Sequence, residues 1–159
     1  MSDSWQSFVS TLSAEAALLA AVGECALTLT EALVQNDPDA IERAERKLDY
    51  HRREHFNALE ERMAMQRRGF GDLRLAAIAQ YAPPPIRLQL DGCIADLRSR
   101  AVSLSLTNQN NRVLIAAGMD RLRKTVSILQ HSAAEKPGTY KRRGIVPPTD
   151  ASVLVSQRA

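Results

Sequence analysis

Apolar side chains recur at spacings of three and four along most of this chain, with polar residues between them. That spacing turns one face of a helix toward a core. The first such stretch spans about residues 4–36. Trp5, Leu12, Leu19, Ala26 and Leu33 fall every seven residues, and Phe8, Val22 and Leu29 hold the companion positions. Glu15 takes the remaining companion position and leaves the seam imperfect there. Asn36-Asp37-Pro38-Asp39 reads as a stop and a restart. Asp37 can cap a new helix, and Pro38 fits the first turn, where its missing N–H costs nothing.

The second helix is expected over residues 38–68. Its stripe is weaker (Ile41, Ala44, Leu48, Phe56, Leu59, Met63) and heavily flanked by charge, and Gly69-Phe70-Gly71 ends it. A short helical piece is expected over residues 72–81, with Leu73, Ala76, Ala77 and Gln80 on one side. Pro83-Pro84-Pro85 cannot continue a helix but can open one. The longest stretch then runs from residue 85 to about 132. Leu90, Ile94, Leu97, Ala101, Leu104, Ile115, Gly118, Leu122 and Leu129 mark a coiled-coil-like seam. At about 1.5 Å per residue, this helix would be on the order of 70 Å long.

The pattern predicts an all-α protein: an elongated antiparallel helical bundle, or coiled-coil-like hairpin, with one very long C-terminal helix. Residues 1–135 would form the helical bundle and residues 136–159 a basic, flexible tail. Short connections imply antiparallel neighbours. No strand alternation and no solenoid repeat stands out.

Composition agrees with helices. Of 159 residues, 45% are apolar but only 4% aromatic, a balance that suits helix seams better than sheets. The formal charge of +3 resides in the stretch from Ala133 to the end, where Lys136, Lys141, Arg142, Arg143 and Arg158 outnumber Glu135 and Asp150. A neutral body argues against a nucleic-acid-binding role. The tail is either solvated or touches an acidic partner or a membrane surface. Cys25 and Cys93 sit far apart within helical patterns and read as two reduced, buried residues. The first residues lack a basic leader pattern, and no uncharged run approaches the ~20 residues of a membrane span. A soluble, cytoplasmic protein without stable membrane insertion is expected.

Candidate chemistry is sparse. His51-Arg52-Arg53-Glu54-His55 fits H-x-x-E-H, which on a helix puts both imidazoles on one face with a glutamate as base. No third ligand or substrate cleft accompanies it, and the plainer reading sets both histidines on the border between seam and solvent. With no Gly-rich phosphate loop, Cys-x-x-Cys pair or triad in view, no catalytic residue, metal or cofactor is assigned.

Asn108 and Asn111 interrupt the long seam. A polar seam residue can fix register and partner at a cost in stability. Alternatively, the seam is open there. Leu104, Ile115, Leu122, Val126 and Leu129 would then offer an apolar groove to a partner's amphipathic helix, with the asparagines supplying directional hydrogen bonds.

Asn108-Gln109-Asn110-Asn111, followed by Val113-Leu114-Ile115, resembles the Asn-Gln-x-Asn-Gly-apolar signature of FlgN-type flagellar export chaperones. Arg112 stands where that signature has glycine. The order of features is also similar: two N-terminal helices, a long second half with the asparagine motif, a Pro/Gly break, and a Tyr-x-x-x-Gly tail, here Tyr140 to Gly144. The resemblance implies a cytoplasmic chaperone without catalytic activity. It would bind the C-terminal helical region of hook–filament junction proteins and deliver them to the type III export gate. Client contacts would fall on Leu104, Asn108, Asn111, Ile115, Leu122, Val126 and Leu129, and gate docking on Tyr140. The competing reading is a coiled-coil adaptor or structural homo-oligomer with no export role. Beyond the client and the gate, only weak self-association is expected.

Overall fold

A computed structural model describes residues 2–134, with side chains over 4–132. Among the described residues there are four helices and no strand: α1 (Ser2–Gln35), α2 (Pro38–Phe70), α3 (Leu75–Tyr81) and α4 (Pro84–Ala134). The chain divides into two compact units, Met1–Ala116 and Ala117–Ala159.

The turn between α1 and α2 follows from its residues. Asn36 takes a left-handed conformation (φ 53°). Its N–H donates to the Leu33 carbonyl, and that of Asp37 to the Ala32 carbonyl, each at 3.2 Å. This double bond pattern satisfies the last carbonyls of α1, and asparagine tolerates the conformation better than most residues. The Asp37 carboxylate then accepts from the Ala40 N–H at 3.0 Å, with Pro38 in the first turn of α2.

In the first unit, α1 and α2 pair antiparallel. Trp5 stacks on Phe70 with ring centroids 4.8 Å apart, Glu15 meets Arg62, and Leu29 packs in one cluster with Leu48. Small buried residues, Ala26 and Ala32 on α1 and Ala44 on α2, let the two backbones approach closely. One core cluster gathers Phe8, Leu12, Ile78, Ala79, Leu90 and Ile94, so it draws on α1, α3 and α4. The other gathers Val22, Ala26, Leu29, Ala44 and Leu48, with Leu104 packed against it. Arg87, in the first turns of α4, donates to the Ala79, Gln80 and Ala82 carbonyls and so caps the C-terminus of α3. Asp72 to Arg74 lie outside α3.

α4 runs parallel to α1. Ser13 Oγ lies 3.6 Å from Cys93 Sγ, and further along Thr30 Oγ1 donates to Asn111 Oδ1 at 2.7 Å. The two contacts are almost equally spaced on both helices. In this register Gln35, the last residue of α1, falls opposite about residue 116 at equal rise per residue. Both cysteines are free and half-buried.

Two seam expectations change. On α2, Phe56 and Met63 are exposed. The inward row is instead Ala44, Leu48, His51, His55, Ala58, Arg62 and Met65, all buried or half-buried and alternating in steps of three and four. The apolar count had followed the neighbouring face, because three of the true seam positions are polar. Arg62 there answers Glu15: Nε to Oε2 is 2.8 Å, with the two side chains 12% and 5% exposed. Arg62 also donates to Gln66 Oε1 at 2.8 Å, and Gln66 to the Leu73 carbonyl at 2.6 Å. The imperfection read at Glu15 is therefore one half of a buried ion pair between α1 and α2.

Ser4–Gln35 is long and apolar enough to cross a membrane by length and composition, with mean hydropathy 1.7 over an 18-residue stretch. In this structure its inward row builds both core clusters, and buried Glu15 is matched by Arg62, as suits a helix packed in a protein.

Candidate partner-binding surface

The two seam asparagines sit at the end of the first unit and do different things. Asn111 is 4% exposed. Its Nδ2 donates to the Ala26 carbonyl at 3.0 Å, and its Oδ1 accepts from Thr30 Oγ1. The Thr30 hydroxyl also lies 3.0 Å from the Ala26 carbonyl, so three groups share one small network. Burying a primary amide is tolerable only when its donor and acceptor find partners, and here they do. Asn111 thus ties α4 to α1 from within. Thr107, one turn earlier, is also buried, with its hydroxyl turned back to the Ser103 carbonyl at 3.1 Å.

Asn108 is half-buried and, among the described residues, its side chain has no hydrogen-bond partner. It lines an open cleft of about 340 Å³ together with Leu48, Asp49, Arg52, Arg112 and Ile115. The cleft has an apolar floor and charged walls. Leu104 is half-buried against the second core cluster, and Ile115 is exposed at the cleft's edge.

In the second unit, every side chain described from Ala117 to Ser132 is exposed. Apart from Ile128, the larger apolar ones are aligned. Met119, Leu122, Val126 and Leu129 follow each other in steps of three or four, and so form one row on the helix. Leu122 is 58% exposed, Val126 43% and Leu129 61%. An exposed apolar row of this kind makes the second unit a candidate interaction surface. Sequence reasoning placed Gly118 in this row and missed Met119. Steps of four, three, four and three from Ile115 to Leu129 would have found it. Tyr140 lies outside the described residues.

His51 and His55 are half-buried in the α2 seam. His51 Nδ1 is a buried nitrogen without a hydrogen bond, and its ring meets Tyr50 edge-on at 5.2 Å. Among the described residues, no group of three or more His, Cys, Asp or Glu side chains is placed to hold a metal ion.

In the first unit Asn111 anchors α4 to α1, and in the second unit the described apolar row is exposed. A family model described as FlgN protein matches residues 1–147. The chain belongs to the FlgN family. Searches of curated proteins and of solved structures returned no match. FlgN proteins are flagellar export chaperones, so the chain's role lies in protein export during flagellum biogenesis. The asparagine motif that carries the resemblance contains both the anchoring Asn111 and the accessible Asn108.

Proposed function

We propose that this FlgN-family protein binds the C-terminal helical region of hook–filament junction proteins in the cytoplasm and hands them to the flagellar export gate. The observation that carries the client half is the uncovered row Met119, Leu122, Val126 and Leu129. A segment that polymerises through an apolar helical face needs that face covered before export, and a long helix with a matching row covers it without a pocket. Leu104, Asn108 and Ile115 extend the client-facing set within the first unit. Asn111, enclosed by α1, serves as a positioning residue that holds α4 rather than as a client contact. The gate-docking role of Tyr140 is part of the same proposal, on the strength of the Tyr-x-x-x-Gly element alone.

The test is binding of the purified junction proteins, full length and lacking their C-terminal region, to the intact chaperone. Tight binding lost with that region, and lost again in Leu122→Ala/Leu129→Ala, is the expected result. Equal binding by the truncated client, or by the double variant, would refute the assignment.

A further inference from the structure

The charge around the bare row restricts what can lie on it. From Ala117 to Ser132 the only acidic residue is Asp120. Its carboxylate is taken by Lys124 at 2.7 Å. At ~100° per residue, Asp120 and Lys124 lie on the side of the helix away from the row. Arg121 and Arg123 lie on its two flanks, roughly 120° to one side and 80° to the other. Both are exposed, and neither guanidinium has an ion-pair partner among the described residues. The apolar row of the second unit therefore runs between unneutralised positive charges.

We propose that the occupant of this face is an amphipathic helix whose own apolar row is flanked by acidic side chains. This presupposes the client-binding role proposed above and specifies the chemistry of the client helix. Two other occupants are disfavoured by the same charges. A second copy packing row against row would bring arginines toward arginines. The chain's own residues 136–159 carry five basic residues and one acidic one, so they too bring like charge. An anionic membrane surface would also attract arginines. However, membrane-lying helices combine a Lys/Arg-rich polar face with aromatic anchors. Residues 117–132 include no aromatic, and on their polar side Lys124 is neutralised by Asp120, beside Ser127 and His131.

The experiment uses the full chain and three synthetic helical peptides. They share one leucine row and differ only in the residues flanking it, which are Glu, Gln or Lys. Affinities are measured by calorimetry at about 50 mM and 500 mM salt, the higher of which screens charges more than ~5 Å apart. The expected order at low salt is Glu tightest, Gln about tenfold weaker and Lys weakest, with the spread collapsing at high salt. Arg121→Glu/Arg123→Glu, at exposed positions that carry no fold contact, should reverse the order, and circular dichroism checks that the helix is retained. If the peptides bind with no dependence on flank or salt, but Leu122→Ala/Leu129→Ala abolishes binding, the acidic flank is refuted and the apolar client site stands. If no peptide binds, or the leucine variant binds as well as the parent, the client site itself is refuted. Binding to vesicles of anionic phospholipid in preference to the Glu-flanked peptide would overturn the proposal in favour of a membrane.

Discussion

Two stretches of α4 carry nearly the same chemistry and end up in opposite environments. Leu90 and Ile94 are buried, and Leu97 and Leu104 are half-buried, in the cores of the first unit. Met119, Leu122, Val126 and Leu129 repeat the same steps of three and four in the second unit and are exposed. The residue type does not distinguish them. What differs is the supply of partner helix. α1 runs parallel to α4 and stops at Gln35, so its cover runs out near the end of the first unit. A seam with cover is core, and the seam without it is the face proposed above for the client. Between them lies Asn111, which spends its hydrogen bonds inward.

That comparison can be broken at either end. The largest effect should come from the covered part. Glu15→Ala leaves Arg62 buried and unpaired, and is expected to lower stability by about 3–5 kcal/mol in urea denaturation. Replacing both partners by leucine should restore most of it, because an apolar pair of similar size avoids the cost of desolvating two charges. If Glu15→Ala costs less than about 1 kcal/mol, the pair does not organise the hairpin.

Asn111→Ala comes next. It removes the bonds to the Thr30 hydroxyl and to the Ala26 carbonyl, for an expected loss of about 1–3 kcal/mol. Asn108→Ala, with no bond to lose, should stay within about 0.5 kcal/mol of the parent. Similar losses for the two would erase the distinction between anchor and cleft residue.

At the uncovered end the ordering inverts. Leu122→Ala and Leu129→Ala should change stability by less than about 0.5 kcal/mol, since both side chains are already in water. Each should weaken client binding roughly tenfold, the equivalent of about 1.4 kcal/mol. Thermal melts and calorimetry on the same variants separate the two quantities.

The smallest effect sharpens the picture of the second unit. Gly118 has no atom within 4 Å of where a Cβ would sit. Gly118→Ala should therefore stiffen the exposed helix by about 0.5–1 kcal/mol with no steric cost, read as added helicity by circular dichroism. A loss of helicity would mean that the backbone there is not ordinarily helical.

Much of this architecture was legible in the residues. The helical class, the Asn36–Asp37–Pro38 turn and the alternating apolar rows follow from local rules: periodicity, capping geometry and proline's fixed φ. The leucines of the exposed row could be named because a helix places residues three and four apart on one face wherever it sits. The asparagine motif pointed to the family for a different reason, since its side chains are an unusual choice for a seam.

What local rules could not supply was who faces whom. Glu15 looked like a flaw until Arg62, distant in sequence, came opposite it, and an ion pair depends on a distance that only the packed hairpin sets. The α2 seam was misjudged for the same reason: His51, His55 and Arg62 lie on the inward row, with Arg62 paired to Glu15 of α1, whereas Phe56 and Met63 turn outward despite their hydrophobicity. Asn108 and Asn111 were indistinguishable as letters, and only the Ala26 carbonyl and the Thr30 hydroxyl made one of them an internal tie. A sequence states which faces are apolar. Whether a given face is filled or left open depends on where the neighbouring helices begin and end in space, and that is a property of the tertiary structure.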